Sequence, residues 1–393
     1  MKEFRLRNSF ANFEGRLYLM KKDLEIYIHI PFCVKKCDYC DFFSMTASEE
    51  IKELYVKALL REIAAVKVPI NDGVCSIFFG GGTPSILDAK WIGEILQRLR
   101  LRFTFADDIE ISIECNPGTI NDEKLLAYRE FGINRISFGL QSMNNEELLS
   151  LGRIHTYEDF LASYEMARAV GFNNISVDLI SGLPHQSLAS WSDSLKAIGA
   201  LKPEHISAYS LIVEAGTPFA TKKLHLPDED EERRMYEQTY EILAGFGYDQ
   251  YEISNYAKSG YQCRHNVGYW QRLNYLGLGV SAASLVDDMR YCNIRDLQGY
   301  IKHSHNLERI RCDIEYLSEQ DKMEEFVLLG LRKLKGLDDS AFKAAFGVSL
   351  GAAYGAKIAR LVEQGLLEFA EGYLRLTRKG ISVSNYVIAK LLV

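Results

Sequence analysis

The sequence predicts an α/β protein, a parallel sheet covered by helices and curled into a partial (β/α)6 barrel, with a smaller, mainly helical, winged-helix-like domain at the C-terminal end. Three observations carry this expectation. Two periodicities alternate over the first two-thirds of the chain, giving six strand–helix units in a row. The alternation stops near residue 315. The chain has 393 residues, 47% hydrophobic and 25% charged, the length of two or three domains with ordinary globular composition.

The units follow in order. LEIYIHIPF (24–32) reads as a strand and EEIKELYVKALLREIAAV (49–66) as its helix. VCSIFFGGGTP (74–84) is an apolar strand running into glycines, followed by a helix over 88–103. Strand and helix then recur at 108–118 and 121–132, at 135–142 and 156–171, and at 174–184 and 187–202. The sixth unit is a strand at 205–213 and an acidic-led helix at 228–247. Right-handed crossovers curl such a sheet into a full or partial barrel, with a doubly wound open sheet as the competing topology. Beyond residue 315, helices are expected at 324–334, 337–347 and 353–365, then a hairpin over 366–380 turning at Glu371-Gly372. Three helices and a hairpin resemble a winged helix, a fold that either binds DNA or packs as a lid. The division expected is 1–23 as an N-terminal segment, 24–250 as the barrel, 251–314 as a connecting region and 315–393 as the C-terminal domain.

Composition narrows the partners. Lys and Arg number 46 against 53 Asp and Glu, a formal charge of -7, which disfavours nucleic acid. No apolar run reaches the roughly 20 residues that span a bilayer, so an integral membrane protein is not expected. The opening MKEFRLRNSFANFEGRLYLMKK interrupts every apolar stretch with charge and argues against a secretory signal. Of 8 Cys, three crowd at Cys33, Cys37 and Cys40, while Cys75, Cys115, Cys263, Cys292 and Cys312 are scattered. That is no disulfide scaffold, and a cytoplasmic location with reduced thiols is expected.

The Cys33-x3-Cys37-x2-Cys40 run lies just after the first strand. Short loops wrap successive thiolates around one face, so three can hold three corners of an iron–sulfur cube and leave one iron open. Zinc prefers four ligands in two separated pairs, and only His29 or a distant Cys could complete such a set.

This spacing, with Tyr39 before the third cysteine, resembles the radical S-adenosylmethionine (SAM) superfamily, whose fold is a complete or partial (β/α) barrel. YIHIPFC (27–33) and CDYCDF (37–42) are similar to the branch containing oxygen-independent coproporphyrinogen III oxidase. The resemblance implies a 4Fe-4S cluster on Cys33, Cys37 and Cys40, with SAM on its open iron. It assigns Gly80-Gly81-Gly82-Thr83-Pro84, at the end of the second strand, to SAM's amino group, and with Tyr27 and Glu114 these residues would orient the cofactor. Glycines do permit close backbone approach, although a tight turn alone would also use one. In the third strand Glu110, Ser112 and Glu114 alternate with Ile109, Ile111 and Ile113, and a carboxylate facing the barrel interior requires a partner. The resemblance gives Glu114 the ribose hydroxyls of SAM. It places Gln141, Arg153 and Asp178 around a second SAM or a substrate carboxylate; an internal Arg153–Asp178 salt bridge is the simpler alternative.

Two features bear on the branch. Decarboxylating oxidases of this family carry a fourth cysteine two residues past the third and an N-terminal extension; here Phe42 occupies that position and Cys33 leaves little room before it. The hexapeptide His265-Asn266-Val267-Gly268-Tyr269-Trp270 resembles the HNxxYW motif of HemW-type haem chaperones. A neutral imidazole can ligate iron, and Tyr and Trp faces can stack on a porphyrin. A packed structural histidine is the plain alternative, and Cys263 a thiolate alternative. The resemblance therefore implies haem as a third cofactor with His265 as candidate axial ligand, haem-requiring acceptor proteins as partners, and a role for the cluster in controlling transfer or forming a homodimer. The rivals are oxidative decarboxylation of coproporphyrinogen III in porphyrin metabolism and a winged-helix regulator carrying a redox cluster.

Overall fold

A computed structural model describes residues 24–67 and 73–392. The expected N-terminal segment 1–23 and the reading of its signal character lie outside the described residues.

The six units form in the predicted order: β1 (Leu24–Ile30) and α1 (Glu49–Ala65), β2 (Val74–Gly81) and α2 (Ala89–Arg102), β3 (Phe105–Cys115) and α3 (Asp122–Glu130). They continue with β4 (Arg135–Gln141), a short α4 (Asn145–Ser150) that sequence periodicity does not reveal, α5 (Tyr157–Ala169), β5 (Ile175–Ser181), α6 (Leu188–Leu201), β6 (His205–Ser210) and α7 (Glu229–Gly245). Each long crossover helix starts on a side-chain cap: Ser48, Asp88, Asn121, Thr156, Ser187 and Asp228 accept from backbone N–H groups of the first turn. The sixth strand ends at Ser210, short of the expected 213: its buried run stops at Ala208, and Leu211–Val213 run on as a partly exposed loop.

β1 to β6 pair in parallel in sequential order. A doubly wound sheet would reverse direction from its middle, so the strand order settles on the partial barrel. Ile26, Ile28, Ile77, Phe79, Ile111, Ile113, Ile136 and Val177 face outward onto the helices and are buried there. Apart from Phe78 on β2, the inward positions are mostly polar: Glu25, Tyr27 and His29 on β1, Ser76 on β2, Glu110, Ser112 and Glu114 on β3, Arg135 and Ser137 on β4, Asp178 on β5, and His205 and Ser207 on β6.

The stretch expected to be a connecting region is woven into the same sheet. After β7 (Asp249–Gln250), β8 (Asn255–Ala257) pairs antiparallel with β6. Helix α8 (Arg264–Trp270) follows, then β9 (Asn274–Leu278) lies parallel to β1 on the opposite side. β10 (Ala283–Val286), β11 (Met289–Asn293), α9 (Leu297–His303), α10 (Leu307–Ile310) and β12 (Arg311–Tyr316) complete a 12-stranded sheet ending at β12. These strands, two to six residues long, carry too little apolar pattern to be recognised in the sequence.

The C-terminal unit comprises α11 (Glu319–Gly330), β13 (Leu337–Asp338), α12 (Asp339–Phe346), α13 (Leu350–Glu363), β14 (Leu367–Ala370), β15 (Tyr373–Leu376), α14 (Arg378–Ile381) and α15 (Ser384–Leu392). The expected hairpin turns at Glu371-Gly372, and β13 adds a third strand beside it. Phe326, Val327, Phe342, Leu350, Leu374 and Val387 build a core separate from that of the sheet. Among the described residues no helix is long and apolar enough to cross a membrane.

Candidate functional site

Cys33, Cys37 and Cys40 are half-buried on the loop leaving β1 at its C-terminal end, where a barrel of parallel strands opens. Backbone hydrogen bonds fix the loop: Cys33 N–H donates to Met45 O at 3.0 Å, Met45 N–H to Pro31 O at 2.8 Å and Asp38 N–H to Leu151 O at 3.0 Å. Gly82 lies directly against it. A Cβ there would stand 2.9 Å from Cys33 Sγ and 2.7 Å from Phe32 O, so only glycine lets β2 end beside the cysteines. Burial raises the thiols of Cys37 and Cys40 above their ordinary range, so on their own they rest protonated, and binding a metal group would release their protons. Among the described residues no three His, Cys, Asp or Glu side chains converge on one ion-sized point. Three thiols on one short loop can each take a separate corner of a cubane. The donor set fits a three-cysteine cluster.

A polar chain ties this loop to the strands behind it. Thr83, buried, donates from Oγ1 toward Cys33 Sγ at 3.5 Å and accepts from Asn116 Nδ2 at 2.8 Å. Asn116 Oδ1 accepts from Arg153 Nη1 at 2.9 Å, and Arg153 Nη2 donates to the Tyr39 hydroxyl at 2.8 Å. Burial pushes the Tyr39 hydroxyl up to about 12, so it stays protonated. Arg153 thus spends its hydrogen bonds on Asn116 and Tyr39 and not on Asp178, which is held by Ser137 at 3.1 and 3.2 Å. The simple Arg153–Asp178 salt bridge is not what the structure builds.

On the wall just below, Gly81 has φ +112°, and a Cβ there would strike the His29 ring at 2.7 Å; both facts demand glycine. His29 donates from Nε2 to Phe43 O at 2.9 Å, so its Nδ1 accepts from the Tyr27 hydroxyl at 3.1 Å. Gly81 N–H donates to Glu114 Oε2 at 3.2 Å. Burial, then the neighbouring Asp178 charge, raises Glu114 to about 8, and burial also raises Asp178. Two carboxylates set into the barrel wall make a site suited to hydroxyl or cationic partners. Gln141 closes β4 with φ +77°, a conformation costly for a side-chain-bearing residue and typical of a functional position.

Beneath lies a cavity of about 170 Å³, lined in part by Tyr27, Phe78, Glu114, Arg135, Asp178 and His265. Its floor is α8. Glu110 accepts from Arg264 N–H at 3.1 and 3.2 Å and from His265 N–H at 3.4 Å, fixing the start of the helix to β3. His265 is 2% exposed and stacks on Phe78 with ring centroids 5.2 Å apart. Ser76 donates to Glu25 at 3.0 Å, so at 2.8 Å it accepts from His265 Nδ1–H. His265 Nε2 is then unprotonated and accepts from the Tyr269 hydroxyl at 3.0 Å. Burial lowers the imidazole to about 3 and keeps it neutral. The cavity is smaller than the ~300–1,000 Å³ that holds a drug-sized molecule, so a macrocycle does not fit inside with α8 in place.

The structure therefore brings Cys33, Cys37, Cys40, Tyr39, Thr83, Gly82 and Arg153 together at the mouth, and Tyr27, Gly81, Glu114 and Asp178 on the wall below, with Gln141 ending β4 nearby. Sequence reasoning missed Asn116, Arg135 and Ser76. Arg135 is 2% exposed inside the barrel, and its signal was the inward run Arg135-Ser137-Gly139-Gln141 in an otherwise apolar strand. Nothing local marks Asn116 or Ser76, whose partners lie 33 to 189 residues away.

Comparison with known proteins agrees with this geometry. Residues 27–198 match the radical SAM superfamily and residues 317–383 the HemN C-terminal domain. The chain is 34% identical over 378 residues to the protein named heme chaperone HemW of Lactococcus lactis subsp. lactis (strain IL1403), covering 95% of this chain and 98% of that one. It is 35% identical over 372 residues to the Bacillus subtilis (strain 168) protein of the same name, covering 93% and 98%. The solved coproporphyrinogen III oxidase (HemN) from Escherichia coli, described as a radical SAM enzyme, superposes with a TM-score of 0.81 at 27% identity, covering 94% of this chain and 90% of that one. Radical SAM membership implies a 4Fe-4S cluster and SAM, and the three thiols and the glycine-lined wall beside them fit both. A shared barrel, a shared C-terminal domain and end-to-end similarity place the chain in the heme chaperone HemW family of the radical SAM superfamily.

Proposed function

We propose that this protein is a haem chaperone: it binds haem and passes it to haem-requiring acceptor proteins. The observation that carries the reading is the end-to-end similarity to proteins of that name. Phe42 agrees with it, since a phenyl ring, here 63% exposed, stands where the decarboxylating oxidases place a cysteine. Cys33, Cys37 and Cys40 would hold the cluster, which supplies one-electron chemistry when bound. Tyr27, Gly81, Gly82 and Glu114 would orient SAM, with Gln141, Arg153 and Asp178 contacting its remainder. Exposed Val34, Phe42 and Ile154 at the mouth give apolar surface for an acceptor to cover.

His265 is the proposed axial ligand. Its Nδ1–H is anchored through Ser76 to a carboxylate, the relay that orients metal-binding imidazoles, and its free lone pair is on Nε2. The Tyr269 hydroxyl covers that lone pair, so ligation requires Tyr269 and the end of α8 to swing away. Seating in a location with reduced thiols and action as a homodimer complete the reading.

The test is a haem titration on the anaerobically reconstituted chain, run beside an assay with SAM, reductant and coproporphyrinogen III. Saturable haem binding, transfer to an apo-acceptor and no protoporphyrinogen are expected. Protoporphyrinogen formation would instead establish the oxidase. His265→Ala should lose the Soret signature of the wild type; an unchanged spectrum removes His265 as the ligand.

A further inference from the structure

At the far edge of the sheet, some distance in sequence from the cluster loop, β11 and β12 run antiparallel. Met289 faces Tyr316 and Arg290 faces Glu315, and an unbroken register would set Cys292 against Asp313. The register shifts instead. Cys292 faces Cys312 and Asn293 faces Arg311, so β12 carries one extra residue between the two halves of the ladder. Asp313 takes up the bulge with φ +53°, an uncommon conformation for a residue with a side chain. A one-residue slip moves every later side chain to a different opposite number, and here it aligns the two thiols.

We propose that Cys292 and Cys312 form an oxidisable cross-strand dithiol, a modification site whose disulfide closes and reopens with the redox state around the protein. Directly opposite residues in antiparallel strands have Cα atoms roughly 4.5 or 5.5 Å apart, and both spacings lie within the approximately 4.4–6.8 Å that disulfides span. Both residues are half-buried free thiols on the last two strands of the sheet, and Ala283, opposite Cys292 on the other side, is small and exposed. The site is open to a small reagent, whereas Cys115 and Cys263 are buried in the interior. Burial and then Asp313 raise both thiols, so Cys292 and Cys312 alike rest as thiols and react through the small fraction that is ionised.

A low-molecular-weight disulfide is the oxidant. The Cys312 thiolate attacks one of its sulfurs, forming a mixed disulfide and expelling one thiolate. The Cys292 thiolate then attacks Cys312 Sγ, forming the Cys292–Cys312 bond and expelling the second. Two protein thiols are oxidised, the reagent disulfide is reduced to two thiols, and the two protons lost by the cysteines pass to the released thiolates. A half-buried disulfide at the edge of the sheet remains within reach of a small thiol, which can reduce it again.

The test treats the anaerobically reconstituted full chain with oxidised glutathione, alkylates the remaining thiols and maps peptides without reduction. The expected product is a linked pair of peptides containing Cys292 and Cys312, lighter by two hydrogens, absent after dithiothreitol. Cys292→Ser and Cys312→Ser should each abolish the link and leave the surviving cysteine as a glutathione adduct. A wild type in which Cys292 and Cys312 remain alkylatable, or end as stable separate adducts, overturns the proposal. Melting curves of both variants matching that of wild type confirm that the mapping reads thiol chemistry and not unfolding.

Discussion

Glu114, proposed to orient SAM, also gives the site a pH response. Its carboxyl is raised to about 8, from about 4.5, by burial and by Asp178. The folded chain then keeps a proton that the unfolded chain releases, so the associated stability is complete below about pH 4.5 and is lost as pH rises toward about 8. Glu114→Gln removes that linkage. The wild type should lose melting temperature relative to E114Q between pH 5 and pH 8, and parallel curves for the two proteins would contradict the assignment. At this scale the cysteines were legible because three thiols in eight residues are a local pattern. Glu114 was legible because a carboxylate at an inward strand position has to be explained. Asn116 was not: its importance lies in joining Thr83 to Arg153, 33 residues before it and 37 after, and no local pattern records that.

At the scale of elements, the alternation of apolar strands with amphipathic helices made β1 to α7 readable, and side-chain caps fixed their starts. The strands flanking the barrel escaped because their pairing is set by the partner strand and not by their own apolar content. Helix α8 is the element on which the interior depends. A seven-residue helix has little stability of its own, so it rests on Glu110 at its start, on His265 bonded to Ser76, and on close approach at Gly268. A Cβ at Gly268 would lie 2.1 Å from Glu25 Oε1, a carboxylate that Ser76 also holds. Gly268→Ala should therefore overpack the junction, costing about 1–3 kcal/mol in denaturant unfolding. It should also raise hydrogen exchange in α8 first. A variant as stable as wild type would show that the helix is not seated as described.

At the scale of the whole molecule, two cores must be held in one arrangement, because the cluster mouth belongs to the barrel and the C-terminal unit has a hydrophobic centre of its own. A charged seam does this. Arg272, held at φ +57° after α8, donates to Glu325 on α11 and to Asp288 at 2.9 Å each. Arg290 on β11 reaches the same Glu325, and Lys322 reaches Asp288 at 2.9 Å. Arg272 and Glu325 are only 14% and 16% exposed, so solvent screens this pair less than a surface bridge. Removing Arg272 leaves Glu325 with Arg290 alone and Asp288 with Lys322 alone, and takes away the one side chain that joins the two pairs. Arg272→Ala should cost roughly 1.5–3 kcal/mol, the range for hydrogen bonds to charged groups. The loss should fall on the junction: proteolysis should quicken around Leu317–Ser318 while exchange in β1 to β6 stays slow. If cleavage spreads evenly through barrel and C-terminal unit alike, the two do not separate along this seam and the molecule unfolds as one body.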